Sequence, residues 1–536
     1  MKITLDRFIG MQPRLHPEIL PPLAGTEATA TRMERGILEP MKAAYDTGDS
    51  VTIGHEGFFR FDGTLYSFTS PDVDMARAPV DTNRLYWTGD GVPKMHLVDT
   101  ATTYDLALDA PASAPVAAIL SGTPAEYDQA LVETVLYVMT FVSSLGEESA
   151  PSPVSNAIDW HPGEVVRLTN LNADPLPRLV TNKRIYRSQT SEEGETNLYL
   201  VAEVVAATSV FDHNLTAFPL LEVIPVEHFD TPPDDMAGLT VMPNGLMAAF
   251  SGKELLFCEP YQPHAWPSRY RLSVADDIVG LCSFGTSLAV LTTGRPYVVQ
   301  GTEPDSLVME RSQQNYPCVS KNSIVDLGYA CLYASYDGLV AISESEGARM
   351  LSEPLYTADQ WRALDPASFR AAMHNNRYVA SYDTGGPGGR NLLFLDFRGQ
   401  QPFALTHEIA FDNLYFDYET SELLGVRKAS GDVFQIERAT GDDVGFFTWT
   451  SKVFRLPAPS TFGAIRVDGN ALTTPPVLNI TVFSEGATVR TIASAIFGRV
   501  YRLPAVLGQT WQIRIQSNNE VTRIVMAGSP EEMAND

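Results

Sequence analysis

The nine histidines are the side chains of this sequence best suited to bind a metal ion or transfer a proton near neutral pH. No two lie three or four residues apart, the spacing that places two ligands on one helix face. Asp72, Asp74, Asp234 and Asp235 suggest calcium by proximity, but the twelve-residue order of an EF-hand is absent. The sequence therefore predicts no metal site, and we interpret these acids as solvated turns. The histidines are His16, His55, His96, His161, His213, His228, His264, His374 and His407.

The common catalytic and nucleotide-binding motifs are also missing. No GxxxxGK[ST], GxGxxG or GxSxG pattern occurs, so the usual phosphate-binding loops and the nucleophile elbow of hydrolases are absent from the sequence. A fold could assemble a carboxylate pair for glycoside hydrolysis from the 65 acidic residues, but the sequence nominates none. We therefore predict no catalytic residue, no cofactor and no enzyme activity.

The four cysteines form no CxxC pair and match no zinc spacing. They occur in apolar, strand-like or loop contexts, where a thiol packs as a small apolar group. We interpret them as reduced core thiols of a protein that folds in a cytoplasm. They are Cys258, Cys282, Cys318 and Cys331.

Charge and hydropathy exclude several classes of protein. The formal net charge of −27 disfavours a sequence-reading nucleic-acid binder or a polybasic membrane binder. No apolar run reaches the length of a membrane span, and the N-terminus lacks a signal-peptide pattern. Acidic doublets lie at predicted turns, where we expect each to be solvated. They are Glu147–Glu148, Glu192–Glu193, Asp276–Asp277 and Asp442–Asp443.

Any functional site in this chain must be positioned by β-strands. Short segments rich in β-branched and aromatic residues alternate with period two between Gly, Pro, Asn and Ser, which predicts an all-β chain. One region favours helix: Thr357 and Gln360 form a capping box for ADQWRAL. Asp365 and Pro366 then predict a second helix over ASFRAAMHNN, with His374 near its end as a cap or surface residue.

A repeated hairpin predicts the architecture. Between 226 and 445, a strand, a turn with Gly or Asp and a second strand recur at steps of 41 to 47 residues, aligned on Leu246, Ser287, Cys331, Tyr378 and Leu423. This is the period of β-propeller blades. A sixth hairpin at 84–99 precedes the block, and 54–68 could supply the other strands of its blade. We predict a propeller of about six blades.

The remaining segments predict additional β-domains. The segment 112–225 interrupts the propeller and has the strands and turns of a fibronectin type III-like sandwich. The last 90 residues alternate again and predict a C-terminal β-sandwich. The predicted organisation is 1–50, an N-terminal arm and first strands; 51–111, the first blade; 112–225, the insertion; 226–446, the remaining blades; and 447–536, the C-terminal β-domain.

One dense glycine cluster lies between two strands of a repeat. Gly385, Gly386, Gly388 and Gly389 fall within 383–390, and glycine adopts backbone conformations closed to other residues. A hairpin tip explains this cluster better than a ligand-binding loop does.

Three segments carry a resemblance to a known family. They are VLYVMTFVSSLGEESAPSPVSN (135–156), followed by KRIYRSQT and NLYLVAEV; FTWTSKVFRLPAPSTFGAIRVDG (447–469); and YRLPAVLGQTWQIRIQSNNEVTRIVMAGSPEEM (501–533). Their succession resembles virion proteins of tailed bacteriophages, in particular the tail tubular protein B, or nozzle, of short-tailed phages. The resemblance covers most of the chain as a pattern of segments and contains no catalytic motif.

The resemblance implies a structural protein of the virion tail, assembled in the bacterial host cytoplasm. It implies a homo-oligomer, a hexameric ring below the portal adaptor protein, which also contacts tail fibre or spike proteins. Genomic DNA would pass through the ring without specific binding, and few basic contacts would hold its phosphates. The residues nominated for a lumen or gate loop are Asp383, Gly385, Gly386, Gly388, Gly389 and Arg390.

Two other classes of protein remain open at this stage. A glycan-binding or glycan-hydrolysing propeller would carry acids and aromatic residues at equivalent blade positions around its mouth. Trp87, Trp266 and Trp361 lie in different registers of their blades, which gives this alternative little support. A fibronectin-bearing adhesin would need export, and no export signal is visible.

Overall fold

The computed structural model describes an all-β protein. The described residues are 1–77, 79–80, 83–122, 128–190, 195–344, 346–386, 389–399, 401–438, 444–473 and 476–533. The one α-helix within these ranges is Ala358–Arg362. Short 3-10 turns are Gln129–Leu131, Ser268–Tyr270, Pro304–Ser306, Lys321–Ser323, Pro366–Ser368 and Glu531–Met533. None of the helices in these ranges is long and apolar enough to cross a membrane.

Six groups of four neighbouring strands, here called blades 1 to 6, make up the propeller; five are separate four-stranded sheets, and blade 5 forms one end of an 11-stranded sheet. The predicted fold class, an all-β chain with a propeller of about six blades, is thereby confirmed. The strands are, for blade 1, Asp74–Arg77, Arg84–Thr88, Lys94–Leu97 and Thr102–Asp105; blade 2, Ala237–Val241, Met247–Ser251, Glu254–Phe257 and Leu272–Ser273; blade 3, Ile278–Phe284, Ser287–Thr292, Tyr297–Gln300 and Val308–Arg311; blade 4, Val325–Asp326, Ala330–Ala334, Leu339–Ser343 and Gly347–Met350; blade 5, Arg370–His374, Arg377–Asp383, Arg390–Asp396 and Phe403–His407; blade 6, Asn413–Asp417, Glu422–Arg427, Asp432–Ile436 and Tyr45–Ser50.

The repeated hairpins are apolar in sequence because the second strand of a blade is buried on both faces. Every residue of Ser287–Thr292 and of Ala330–Ala334 is buried. A strand covered on both faces needs apolar residues at successive positions, whereas a strand with one wet face alternates. The central strands therefore look like short apolar runs, with small side chains such as Ala289 and Ala334.

Blade 6 takes its fourth strand from the N-terminal part of the chain. Asp432–Ile436 pairs with Tyr45–Ser50 in antiparallel register, so the chain returns to a distant segment to complete the sheet. The expectation that 54–68 completes the first blade is wrong. Gly57–Phe61 and Thr64–Phe68 pair with each other in a separate two-stranded sheet.

The region predicted to be helical is only partly helical. The first helix is confirmed, since Thr357 and Gln360 form both hydrogen bonds of the capping box. The second is wrong, because Asp365 adopts a left-handed conformation, a single 3-10 turn follows, and Arg370–His374 becomes the first strand of blade 5. Pairing with Arg377–Asp383 satisfies the backbone of this segment, and tertiary pairing overrides its local helix signals.

The inserted segment folds as the predicted sandwich. One sheet has the order Val116–Ser121, Val165–Thr169, Phe211–His213, and the other has Tyr137–Ser143, Val180–Thr190, Thr196–Val205. A small sheet pairs Glu133–Val135 with Ile158–Trp160. A shared core between the sheets contains Tyr137, Met139, Val166, Leu168 and Ile185.

The C-terminal sandwich is built from both ends of the chain. Its first sheet has the order Lys2–Leu5, Glu520–Ala527, Ala464–Asn470, Tyr501–Arg502. Its second contains Ala24–Thr29, Phe447–Ser451, Gly508–Ser517, Leu478–Ser484 and Ala487–Ile492, with Phe454–Ser460 also pairing Gly508–Ser517. Ile9–Met11 connects this sheet to Phe403–His407 of blade 5, and Thr31–Arg32 pairs with Glu39–Pro40.

The chain forms two compact units. One contains Met1–Asp72, Cys282–Val299 and Met309–Asp536, and therefore blades 4 to 6 and the C-terminal sandwich. The other contains Val73–Leu281 and Gln300–Val308, and therefore blades 1 and 2 and the insertion.

A substitution at Gly25 tests whether the N-terminal strand Ala24–Thr29 packs closely against Phe447–Ser451 of the C-terminal sandwich. A Cβ at Gly25 would lie 2.7 Å from Nε1 of Trp449 and 3.0 Å from the Glu27 carbonyl oxygen. Gly25→Ala should therefore destabilise the C-terminal sandwich by about 1–3 kcal/mol, measured as a lower urea midpoint. Gly445→Ala is the control, because its Cβ would approach nothing closer than the Met41 carbonyl oxygen at 3.6 Å. Equal midpoints for the two variants would contradict the predicted close packing.

Candidate functional site

The metal and cysteine predictions can be compared with the structure directly. Within the described ranges, no group of three or more His, Cys, Asp or Glu side chains could hold a metal ion. Two of the carboxylates considered for calcium accept hydrogen bonds from the protein: Asp74 accepts the Gly238 N–H at 2.9 Å, and Asp235 accepts the Ser251 hydroxyl at 2.7 Å. All four cysteines are free and buried, as predicted. Burial raises the pKa of Cys258 and Cys318 to about 12, so both remain thiols.

The nominated gate loop is the tip of the hairpin between the second and third strands of blade 5. Asp383 and Arg390 face each other as the last strand pair, and the Gly385 N–H donates to Asp383 Oδ1 at 2.8 Å. Gly385 and Gly389 have φ angles of 64° and 72°, which favour glycine. Gly386 lies in the same tip, its N–H donating to Thr384 Oγ1, and Gly388 falls outside the described residues.

Arg390 is anchored in the blade. Its Nη2 donates to the carbonyl oxygens of Ser368 at 2.6 Å and Ser381 at 2.7 Å, and its Nε donates to Ser381 Oγ at 2.8 Å. This guanidinium is therefore committed to protein acceptors. Asp383 and the glycines remain the exposed part of the described loop.

An acidic doublet that sequence reasoning placed in solvent is buried in the other compact unit. Glu147 and Glu148 are 4% and 6% exposed, so the expectation of a solvated turn is wrong here. Arginines from elsewhere in the insertion compensate both charges, which a buried carboxylate requires. Glu148 Oε2 lies 2.7 Å from Arg184 Nη1, and Glu148 Oε1 accepts the Tyr186 hydroxyl at 2.6 Å.

Arg178 links Glu147 to the segment that leaves blade 1. Arg178 Nη1 donates to Glu147 Oε2 at 2.6 Å. The same guanidinium donates to the carbonyl oxygens of Leu106 at 2.9 Å and Ala107 at 3.2 Å, in the segment that leaves blade 1. His264, in the blade 2 loop before Leu272–Ser273, reaches the Glu148 carbonyl oxygen through Nε2 at 2.9 Å.

We call the group Glu147, Glu148, Arg178 and His264 the insertion joint. It connects the inserted sandwich to blade 1 and to blade 2 through buried polar contacts. Sequence reasoning missed this site because its partners lie 31 residues apart for Glu147 and Arg178 and 116 apart for Glu148 and His264. No local spacing signal marks such a cluster.

A second polar site lies at one end of blades 5 and 6. A cavity of about 540 Å³ is lined by turns of both blades and by the segment after Thr31–Arg32. Its wall includes His374, which is buried, so the expectation of a helix cap or surface residue is wrong. Burial, with Arg377 adding to the effect, lowers the pKa of His374 to about 4, and the ring is neutral at pH 7. The lining residues are Arg32, Glu34, His374, Asn375, Asn376, Arg398, Thr420, Ser421, Glu422, Gln435, Ile436, Glu437 and Arg438.

A buried ion pair supports this cavity. Arg377 Nη2 donates to Glu437 Oε2, and both side chains are almost completely buried. Glu437 adopts a φ of 52°, a left-handed conformation that costs free energy for a residue other than glycine. Burial raises the pKa of Glu437, while Arg377 opposes that shift.

Comparisons with known proteins give little further information. No family model matches the chain, and the search of curated proteins found no match. Among solved structures, the WD40 domain of Neurospora crassa Pan2 is 8% identical over 49% of this chain and 88% of its own, with a TM-score of 0.28. BBS1N, solved in complex with ARL6DN, is 11% identical over 48% of this chain and 88% of its own, with a TM-score of 0.25. Dipeptidyl peptidase 4 of Porphyromonas gingivalis is 9% identical over 81% of this chain and 58% of its own, with a TM-score of 0.26.

Scores of this size establish nothing about function. The assignment to the β-propeller class therefore depends on the sheet topology of this chain itself.

The buried pair of the cavity can be tested by removing one charge. Glu437→Gln should destabilise the protein by about 3 kcal/mol, because Arg377 would keep its charge in a buried site without a counterion. The control is Glu346→Gln, since Glu346 and Arg349 form a pair that is more than half exposed and should contribute about 0–1 kcal/mol. Urea midpoints measure both effects. A Glu437→Gln midpoint no lower than that of Glu346→Gln would contradict the structural role of the pair.

Proposed function

We propose that this chain is a structural subunit of the tail of a short-tailed bacteriophage, a nozzle-like protein that assembles as a ring. The observation that carries the proposal is the order of its modules. A sandwich interrupts the propeller after blade 1, and a terminal sandwich follows blade 6. This order agrees with the segments on which the sequence resemblance depends, 135–156, 447–469 and 501–533.

The construction of each module suits a protein that bears load rather than one that turns over substrate. The N-terminus is paired to the C-terminal sandwich through Lys2–Leu5, and the Met1 ammonium lies 2.8 Å from Glu532 Oε2. The insertion is connected to its neighbouring blades by the insertion joint. The Met1–Glu532 pair is exposed, whereas the insertion joint is made of buried polar groups, which hold one geometry because any other leaves a charge unpaired.

The charge of the chain supports a conduit for DNA. A net charge of −27 in each of six subunits sums to a formal −162 (6 × −27). Even when screened over about 8 Å at physiological salt, a wall enriched in acids gives a passing duplex few phosphate contacts. In this proposal the nominated gate loop at 383–390 projects toward the bore of the ring. It closes the bore sterically until the DNA is ejected.

The insertion offers a surface for neighbouring tail proteins. Val116–Ser121 is an edge strand in its sheet, and its side chains Val116, Ile119 and Leu120 are exposed. No charged residue occurs in this strand, whereas solitary proteins usually protect such edges with charge. In the proposed tail, the portal adaptor and fibre or spike proteins are the expected neighbours of such surfaces.

Ring formation is the decisive test of this proposal. We expect the purified full-length chain, alone or mixed with its adaptor ring, to form closed rings with six-fold symmetry in negative-stain electron micrographs. The adaptor imaged without this chain is the control. A chain that stays monomeric at high concentration and leaves the adaptor unchanged would reject the proposal, and binding to a glycan array would then favour the alternative propeller function.

The proposal also predicts weak interaction with DNA and no hydrolysis. A short duplex should show no mobility shift with about 10 µM protein at about 150 mM salt, because the 65 acidic residues outnumber the 38 basic ones that could replace counterions on the phosphates. Glycosidase and peptidase substrates should remain intact under the same conditions. A basic DNA-binding protein and a known glycosidase are the controls. A shift that disappears at higher salt would contradict the low-friction wall.

A further inference from the structure

The C-terminal sandwich differs in charge from the rest of the chain. Residues 447–536 contain eight basic and six acidic side chains, a net charge of +2, whereas residues 1–446 carry −29. Between Glu485 and Glu520 no acidic residue occurs, and this stretch contains four arginines. A surface formed by such a stretch is electrostatically complementary to the acidic remainder of the same protein.

Both sheets of this sandwich end on the side formed by residues 487–502. Ala487–Ile492 is the last strand of the larger sheet, and Tyr501–Arg502 is the last strand of the smaller one. The Arg490 guanidinium donates to the Arg502 carbonyl oxygen, which connects the two strands. Within the described ranges, no further strand covers these two edges.

The loop between these strands is anchored in the sandwich but presents apolar side chains to solvent. Ala495 is buried in the core, and Phe497 packs against the same core. The Ile496 N–H donates to the Tyr501 hydroxyl at 2.8 Å. Ile496 is nevertheless 59% exposed and Val500 37% exposed. A loop held in this way presents both aliphatic side chains in a defined position.

Three arginines accompany these apolar side chains without a carboxylate partner. Other arginines of the sandwich, such as Arg466, form ion pairs. In the part of the chain that the structure describes, no carboxylate lies within ion-pair distance of Arg490, Arg499 or Arg502. Arg499 lies over the Tyr501 ring instead, 5.4 Å from its centroid. Charge at a sheet edge protects against non-specific strand pairing, but this role does not account for exposed apolar side chains beside it.

We propose that this surface, here called the sandwich-edge patch, binds an acidic surface of a second copy of this chain. Arginine beside exposed apolar side chains is typical of protein interfaces. Anionic lipid and DNA favour larger clusters of lysine and arginine, and no lysine occurs between Glu485 and Glu520. The acidic partner already at hand is residues 1–446 of the chain itself. The patch consists of Arg490, Ile496, Arg499, Val500 and Arg502.

The charge of the patch also decides the symmetry of the contact. Across a two-fold axis the patch would face itself, and its arginines would repel one another. Contact with a different surface of the neighbouring copy is head-to-tail, and contacts of this kind either close into rings or continue as filaments. The inference rests on the proposed function only for ring closure, because the contact between copies does not require it.

Sedimentation velocity of the full-length protein tests the contact. We expect the wild type at about 20 µM to associate in about 100 mM salt and to dissociate as the salt rises to about 500 mM, because screening weakens the attraction. The double variant Arg499→Glu/Arg502→Glu should weaken association by about tenfold or more, because the patch would then repel the acidic surface. Ile496→Ser, which removes apolar contact without a change of charge, should also weaken association.

The matched control is Arg349→Glu/Arg362→Glu. Both arginines are more than half exposed, in or just after blade 4, and this double variant changes the net charge by the same amount. It should associate as the wild type does. The substituted side chains are exposed or partly exposed, so we expect equal melting curves by circular dichroism for all of these proteins.

The outcomes separate this contact from the proposed function. A wild type that stays monomeric would overturn the inference, as would a patch variant that associates as strongly as the control. Six-fold rings formed by that variant would leave the proposed function intact. Dimers or open filaments that the patch variant abolishes would support the inference and contradict the six-fold ring. Binding of duplex DNA or of phosphatidylserine vesicles by a monomeric wild type, lost in the patch variant, would identify another occupant and overturn the inference.

Discussion

Unpaired strand edges are the constraint on which this structure depends. A strand edge exposes backbone donors and acceptors, and a chain made of many small sheets has many such edges. This protein covers three of them with its N-terminal segment: Tyr45–Ser50 completes blade 6, Lys2–Leu5 borders the C-terminal sandwich, and Ile9–Met11 extends blade 5. Strands within the first 50 residues therefore pair with sheets whose other strands come from much later in the chain. The stability of each of these sheets consequently depends on the N-terminal segment remaining folded against it.

Buried ion pairs impose a second constraint. The acidic residues exceed the basic ones by 27, yet arginines are placed in cores opposite carboxylates, as in Arg178 with Glu147 and Arg377 with Glu437. Such pairs contribute little net stability compared with apolar packing, because desolvation offsets their attraction. Their effect is geometric, since any displacement leaves a charge without a partner. They hold the insertion and the turn at 437 in one arrangement.

These features together describe a scaffold with specialised loops and edges. The blades and sandwiches are rigid because their strands are paired and their central side chains are buried. Exposed parts of the described chain include Asp383 and Gly385 at a hairpin end of blade 5 and the apolar side chains of the edge strand Val116–Ser121. The two polar centres, the insertion joint and the cavity beside His374, lie at turns.

The sequence by itself determined the features that depend on neighbouring residues. Period-two alternation, turn residues and the 41 to 47 residue repeat are local signals, so the all-β class, the blades and the capping box at Thr357 could all be predicted. Only the tertiary structure decided what depends on distant partners. Arg370–His374 is a strand because Arg377–Asp383 pairs with it, and Glu147 is buried because Arg178 compensates its charge. Long-range pairing and desolvation leave no periodic trace in a sequence, because they depend on which residues the fold brings together.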